Sequence, residues 1–271
     1  MIHTGSKSQL KAVAVIPARY SSTRLPGKPL LDIAGKPLVV WVAERARAAS
    51  SISRTIVATD DPRIVDAVSA AGFDAVITRA DHLSGTDRIA EVAHNLSADI
   101  IVNVQGDEPL IDPETINRAV NALIEDPQAQ ISTTWEPIND AADVLNPSVV
   151  KVMFDENGYA TGFSRNPNQL NNSGPKNDST GSSPDQSGLL SGFRKHTGLY
   201  AYRRDFLLKF ARWPASESET RESLEQLRAL DHGVKIKVVE AASPSIGVDT
   251  PEDLERVRAM MLGTHASGVP V

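Results

Sequence analysis

The stretch KAVAVIPARYSSTRLPGKPL (Lys11–Leu30) joins a short run of Ala, Val and Ile to a loop carrying Arg19, Arg24 and Lys28 among small and turn-forming residues. The apolar run predicts a buried strand, closed by Pro17. Working outward, PLVVWVAERARAA has apolar residues at helical spacing. RTIVATD (Arg54–Asp60) predicts a second buried strand, and DPRIVDAVSAAG a helix capped by Asp61, opened by Pro62 and stopped at Gly72. DAVIT, SGTDRIAEVAHNL and DIIVNV (Asp99–Val104) continue the alternation as strand, helix and strand. Strands and helices alternating at so short a period predict an α/β fold. Its core is a mostly parallel sheet with helices on both faces, three layers in all. In such sheets ligands bind beyond the carboxyl ends of the strands.

After about residue 130 the alternation loosens. ISTTWEPI, SVVKVMF, ATGFSR and HTGLYAYR predict strands without a long helix between them, so a mixed sheet with a smaller mixed-strand lobe is expected. ESETRESLEQLRALDHG predicts one amphipathic helix with Leu224, Leu227 and Leu230 on one face, followed by strand VKIKVVE and helix TPEDLERVRAMML. Of the 27 residues from Asn166 to Gly192, 18 are Asn, Ser, Gly or Pro, a composition too poor in apolar groups to offset ordering entropy. A mobile loop is expected there.

The charge balance of 28 basic against 34 acidic residues gives a net charge of -6, so no global positive field favours a nucleic-acid backbone. Phosphate recognition has to be local. The chain has no cysteine, which removes disulfides, thiol nucleophiles and cysteine-bound zinc. The start MIHTGSKSQLK has no apolar leader, and no stretch reaches the roughly 18 apolar residues of a membrane span. A cytoplasmic protein without membrane contact is expected.

The cationic loop lies where such a fold binds its ligand. It is neither a dinucleotide fingerprint nor a P-loop, because Gly27 has no glycine partner upstream and Lys28 is followed by Pro29. Ser21, Ser22 and free amides among three fixed cations would suit a triphosphate. In NVQGDEPL (Asn103–Leu110) the most apolar strand ends in Gln105, Gly106, Asp107 and Glu108. The next helix has its own start in Asp112 and Pro113, which leaves Asp107 available as a hard oxygen ligand for magnesium. In IGVDTPEDL (Ile246–Leu254) a cap of Thr250, Pro251 and Asp253 absorbs every polar residue but Asp249, a second leftover carboxylate. In TRADHLSGTDRI, Arg79 and Ser84 could read a base or phosphate, while Ser84 or Thr86 serves equally well as a helix cap. His196, beside Lys195 and with Arg165 upstream, could form an anion-binding wall. Neither a Ser-His-Asp spacing nor H-E-x-x-H is present.

Together these segments, with NPSVVKV, FSR, LEQLRAL and GVDTPEDLERVR, resemble the 3-deoxy-manno-octulosonate (Kdo) cytidylyltransferases in content and order, across nearly the whole chain. The resemblance implies a sugar-nucleotidyltransferase fold forming a single domain over 1–271, with a nucleotide-binding part at 10–130. A sugar-acid-binding and dimerisation part follows at 131–245, with its mobile loop at 166–192. It implies a cytoplasmic homodimer that uses magnesium to join CTP and Kdo into CMP-Kdo and pyrophosphate for lipopolysaccharide synthesis. On that likeness Arg19 and Lys28 hold the triphosphate, Asp107 and Asp249 bind magnesium, and Arg79 and Ser84 hold the cytidine. Gln105, Arg165, His196, Tyr200, Glu222 and Gln226 then line the sugar-acid pocket, with Arg24 a further substrate contact.

Two departures fall on the sugar side. After FSR the family continues with an Ile-Pro-aromatic stretch, where this chain has NPNQLNNSG, and its His-Ile-Glu run is replaced by Thr220, Arg221 and Glu222. Alternatives are therefore a modified Kdo or another 2-keto sugar acid as acceptor, and a nucleotide-binding homologue without catalysis. A dehydrogenase on the same sheet is disfavoured by the missing G-x-G-x-x-G.

Overall fold

The computed structural model describes residues 10–21, 24–170 and 193–267. The first half alternates as expected: β1 (Ala12–Ala18), a 3-10 turn (Lys28–Leu30), a small antiparallel pair β2 (Asp32–Ile33) and β3 (Lys36–Pro37), α1 (Leu38–Ala48), β4 (Ile52–Thr59), α2 (Pro62–Ala70), β5 (Asp74–Ile77), α3 (Gly85–His94), β6 (Ile100–Asn103) and α4 (Pro113–Glu125). The second half runs β7 (Ile131–Pro137), α5 (Ala141–Leu145), β8 (Lys151–Phe154), β9 (Ala160–Ser164), α6 (Pro167–Leu170), β10 (Arg194–Arg203) and α7 (Arg204–Phe210). It closes with α8 (Glu217–Glu222), α9 (Gln226–Asp231), β11 (Ile236–Glu240) and α10 (Pro251–Ser267).

One nine-stranded sheet has the order β11-β7-β10-β6-β1-β4-β5, with β8 and β9 branching from β10 as an antiparallel pair. The pairs β1–β4, β1–β6, β4–β5 and β7–β11 are parallel, and β10 runs antiparallel to both β6 and β7. The alternation of β1 divides the two cores. Ala12, Ala14 and Ile16 face a cluster with Val39 and Val42 of α1, Ile116 of α4 and Val257 of α10. Val13 and Val15 face another with Ile89 of α3 and Leu207 and Phe210 of α7. Among the described residues, no helix is long and apolar enough to cross a membrane.

Two expectations are corrected. Pro17 does not close β1, which continues to Ala18 with Pro17 opposite Ala58 of β4. Val15 and Pro17 face the same neighbour, and β6 has ended at Asn103, so the missing N–H of Pro17 points where no ladder remains. The single helix over 217–233 is instead two short ones, broken at Ser223 with φ 53° and ψ 47°. The break lets Glu222 accept hydrogen bonds from Ser164 Oγ and Arg165 N, while Glu225 reaches Ser84 and Thr86 of the α3 start. Those charge-assisted bonds outweigh a left-handed residue costing about 1–2 kcal/mol. Of the loop expected to be mobile, Pro167–Leu170 is helical, and 171–192 lies outside the described residues.

Lys151 is fully buried, its Nζ donating to the carbonyls of Asn146 (3.0 Å), Val149 (2.8 Å) and Arg165 (2.6 Å). Burial lowers its pKa, and the nearby Arg165 adds to that. Lys151→Met keeps the bulk but leaves three carbonyls unpaired, so it is expected to destabilise the fold by about 2–4 kcal/mol. An unchanged urea-unfolding midpoint would contradict this.

Candidate active site

Caps fix the ends of the helices around the carboxyl edge of the sheet. Asp61 accepts from Arg63 N, Asp112 from Glu114 N and Ser84 from Asp87 N. At α10, Thr250 Oγ1 accepts from Asp253 N, and Asp253 Oδ2 accepts from the amides of Asp249 and Thr250. The carboxylates of Asp107 and Asp249 take no part in these caps. They meet at Lys28, whose Nζ lies 2.8 Å from Asp107 Oδ2 and 3.0 Å from Asp249 Oδ1. Burial opposes the charge on Lys28, but Asp107 and Asp249 outweigh it and raise its pKa above the ordinary lysine value. Arg24 Nη2 lies 3.2 Å from Asp249 Oδ1, so the third cation of the loop joins the same cluster.

Backbone detail brings these parts together. A Cβ at Gly106 would lie 2.7 Å from the Pro17 carbonyl oxygen, so glycine lets the loop after β6 rest against the end of β1 and delivers Asp107. Val248 N donates to Asp107 O at 2.8 Å and brings the Asp249 segment alongside. Gly27 has φ 68° and donates to Tyr20 O, folding the cationic loop back so that Lys28 points inward.

The resulting crevice, about 410 Å³, is lined by Arg19, Arg24, Lys28, Ser84, Gln105, Asp107 and Asp249 from the expected set. Arg79 is not part of this lining. It is exposed and held by Asp81, with Nη2–Oδ2 at 2.6 Å. Ser21 is exposed, and Ser22 lies outside the described residues. The sequence reading missed Arg88, a buried cation on the crevice wall that donates to Thr78 Oγ1 (2.6 Å) and Asp60 Oδ2 (3.0 Å). Its helical position after a cap gave no signal of this.

The expected sugar-acid residues divide. Gln105, Tyr200 and Gln226 line a smaller pocket of about 160 Å³ that adjoins the crevice at Gly85 and Gln105. Gln105 Nε2 donates to Gly198 O at 2.8 Å. Arg165 and Glu222 lie in a separate pocket of about 360 Å³ that also takes in Asn166 and Arg221, so both departures noted in the sequence meet on it. Arg165 is anchored there by Nε to Glu222 O (3.1 Å) and Nη1 to Pro147 O (3.1 Å).

His196 lines neither space and corrects the expectation of a cationic wall. Its ring packs between Phe163 (5.0 Å) and Tyr200 (5.4 Å), Nε2 pairs with Thr133 Oγ1 at 2.9 Å, and burial pushes its pKa down to about 3. It is neutral at physiological pH. A histidine depressed in the folded state takes up protons more readily when unfolded, so its stabilisation is present above about pH 6.5 and is lost as pH falls toward 3. Replacing it by Gln is expected to flatten the dependence of Tm on pH between 6.5 and 4. Equal slopes in both proteins would contradict this.

Among the described residues, no cluster of three or more His, Cys, Asp or Glu could hold a metal. Asp107 and Asp249 supply two hard oxygen donors, and an ammonium already sits between them where a cation is wanted. That donor set fits magnesium completed by substrate phosphates and water.

A protein-family model described as Cytidylyltransferase matches residues 13–236. A 3-deoxy-manno-octulosonate cytidylyltransferase from Trichlorobacter lovleyi is 50% identical over 252 residues, covering 93% of this chain and 99% of the relative. One from Geotalea uraniireducens is 53% identical over 249 residues, covering 92% and 98%. A solved structure of CMP:2-keto-3-deoxy-manno-octonic acid synthetase complexed with CTP superposes with a TM-score of 0.83 at 45% identity, covering 93% of this chain and 99% of that one.

Proposed function

We propose, on the premise that the chain belongs to the cytidylyltransferase family, that it transfers CMP from CTP to the anomeric hydroxyl of Kdo, giving CMP-Kdo and pyrophosphate. The observation that carries this reading is the convergence of Asp107 and Asp249, from distant parts of the chain, on one cation position beside Arg19 and Arg24.

In the reaction the sugar hydroxyl oxygen forms a bond to the α-phosphorus as the bond from that phosphorus to the bridging oxygen breaks. The hydroxyl proton is lost to solvent, and pyrophosphate carries away the electron pair. Negative charge therefore grows on the phosphoryl oxygens and the leaving group, where positioned cations lower the barrier most. Arg19 and Lys28 are assigned to the triphosphate. Arg can grip phosphate bidentately and Lys serves as a point charge. Arg24 steadies Asp249 and adds positive potential at the crevice mouth. Ser84 and Gly85, at the start of α3, are assigned to the nucleotide through their backbone amides, the Ser84 hydroxyl being held by Glu225 and the Asp87 amide.

Asp107 and Asp249 are assigned to magnesium, which when bound offsets phosphate charge and acidifies the attacking hydroxyl. Gln105, Tyr200 and Gln226 are assigned to the acceptor. Arg165 and Glu222 shape the neighbouring pocket. His196, being neutral, contributes packing and one hydrogen bond rather than charge. The cytoplasmic homodimer feeding lipopolysaccharide synthesis belongs to the same proposal.

The test is pyrophosphate release by the purified chain with magnesium. CTP and Kdo are expected to react, and replacing CTP by ATP or UTP, or Kdo by sialic acid, is expected to lower the rate at least tenfold. Equal release with sialic acid would favour another 2-keto sugar acid, the choice to which the departures on the Arg165 pocket point.

A further inference from the structure

Arg19 and Lys28, the two cations assigned to the triphosphate, flank a loop whose neck is closed by Tyr20 and Gly27, neither of which lines the crevice. Gly27 N donates to Tyr20 O at 3.2 Å, and Gly27 takes φ 68° immediately before the 3-10 turn that starts at Lys28. A Cβ at Gly27 would lie 3.1 Å from Tyr20 Oη and 3.2 Å from its Cζ, so the phenol packs directly against the turn. The rest of the ring is half-buried against the core that contains Ile16 and Val42. Where Tyr20 sits therefore decides where its neighbour Arg19 and, across the neck, Lys28 are placed.

A residue from another element holds that ring. The guanidinium carbon of Arg63, the second residue of α2, lies 3.5 Å from the Tyr20 ring centroid. The guanidinium is itself gripped by the two oxygens of Asp61, with Nε–Oδ1 at 2.9 Å and Nη2–Oδ2 at 2.6 Å. A planar fork held at two points has little freedom left, so it covers the ring in one orientation. Capping of α2 needs only the Arg63 amide, which donates to Asp61 Oδ1 at 2.9 Å. The Arg63 side chain is 57% exposed, and an ion pair so open to water contributes little to stability. Its contact with Tyr20 is the part that reaches the site.

We propose that Arg63 is a positioning residue for nucleotide binding: oriented by Asp61, it clamps Tyr20 against Gly27 and so fixes Arg19 and Lys28 at the separation that a triphosphate requires. The proposal rests on the nucleotide reading above and adds to it a residue outside the crevice that acts through the loop neck.

The test pairs calorimetric titration of CTP, without Kdo, with amide exchange of the ligand-free chain followed by NMR. Arg63→Gln is expected to weaken CTP binding about fivefold, the scale of one cation–π contact. KM for CTP is expected to rise equally, with kcat and KM for Kdo within about twofold of wild type. Arg63→Lys keeps a cation over the ring and is expected to restore CTP affinity to within about twofold. Tyr20→Leu is expected to cost about tenfold, and adding Arg63→Gln to it nothing further, because the two act through one contact. In the ligand-free chain the Gly27 amide is expected to exchange about fivefold faster in Arg63→Gln. If Tyr20→Leu fails to fold, the two Arg63 variants carry the test. Unchanged CTP affinity or unchanged Gly27 exchange in Arg63→Gln would overturn the proposal, as would losses that multiply in the double variant or a KM for Kdo that rises in parallel. Faster Gly27 exchange in Arg63→Gln beside a wild-type chain that binds no CTP would overturn the nucleotide reading and leave the clamp standing.

Discussion

Asp107→Asn and Asp249→Asn, made singly, are each expected to lower kcat about 10³-fold, the scale seen when one preorganised electrostatic group is removed from a charged transition state. Asn keeps the size of the side chain and one acceptor oxygen, so the loss isolates the charge. The stability effect runs far smaller. Asp249 has a side chain 47% exposed and Asp107 one 31% exposed, and pairs so open to water contribute about 0–1 kcal/mol. A melting temperature close to wild type beside a collapsed kcat is therefore the expected pattern. Because both carboxylates serve one cation, the double variant is expected to lose little more than either single one. Additive losses of 10⁶ would mean that they work separately.

The second large effect is expected at Lys28. Its ammonium sits between the two carboxylates, and the same residue is assigned to the triphosphate, so it cannot serve both at full strength when magnesium enters. Lys28→Met removes the built-in cation. The ligand-free variant is expected to bind Mn²⁺ at least tenfold more tightly than wild type, because a like charge no longer competes for the site. Its affinity for CTP is expected to fall about 10–100-fold through loss of charge-assisted hydrogen bonds. Mn²⁺ titration by electron paramagnetic resonance reads the first effect without turnover. Unchanged Mn²⁺ affinity would show that Lys28 does not stand in the metal position.

The alternation of strand and helix was legible because β1, β6 and the second half of β4 are buried on both faces and read as largely apolar runs. Asp107 and Asp249 were legible by elimination, since caps are local and the residues forming them can be subtracted. Their convergence was not, because it depends on Gly106 lying against Pro17 and on Val248 bonding Asp107, contacts distant in sequence. The charge of His196 was misread for a related reason. Its neighbours in the chain are cations, but its neighbours in space are Phe163, Tyr200 and Thr133. The break at Ser223 was hidden because the period of Leu224, Leu227 and Leu230 suits a helix. It is the partners of Glu222 and Glu225 on other elements that end it. Arg88 gave no signal in the sequence because its partners Thr78 and Asp60 lie on other segments that only the fold brings to the crevice wall.

The claim that this crevice joins CMP to a sugar acid is tested most directly by ³¹P NMR of the purified chain with CTP, Kdo and Mg²⁺. The expected spectrum shows a new phosphodiester resonance from CMP-Kdo and an equal amount of pyrophosphate, both absent when Mg²⁺ is chelated or when Asp107→Asn replaces the wild type. Unreacted CTP, or CMP released without linkage to the sugar, would contradict the account.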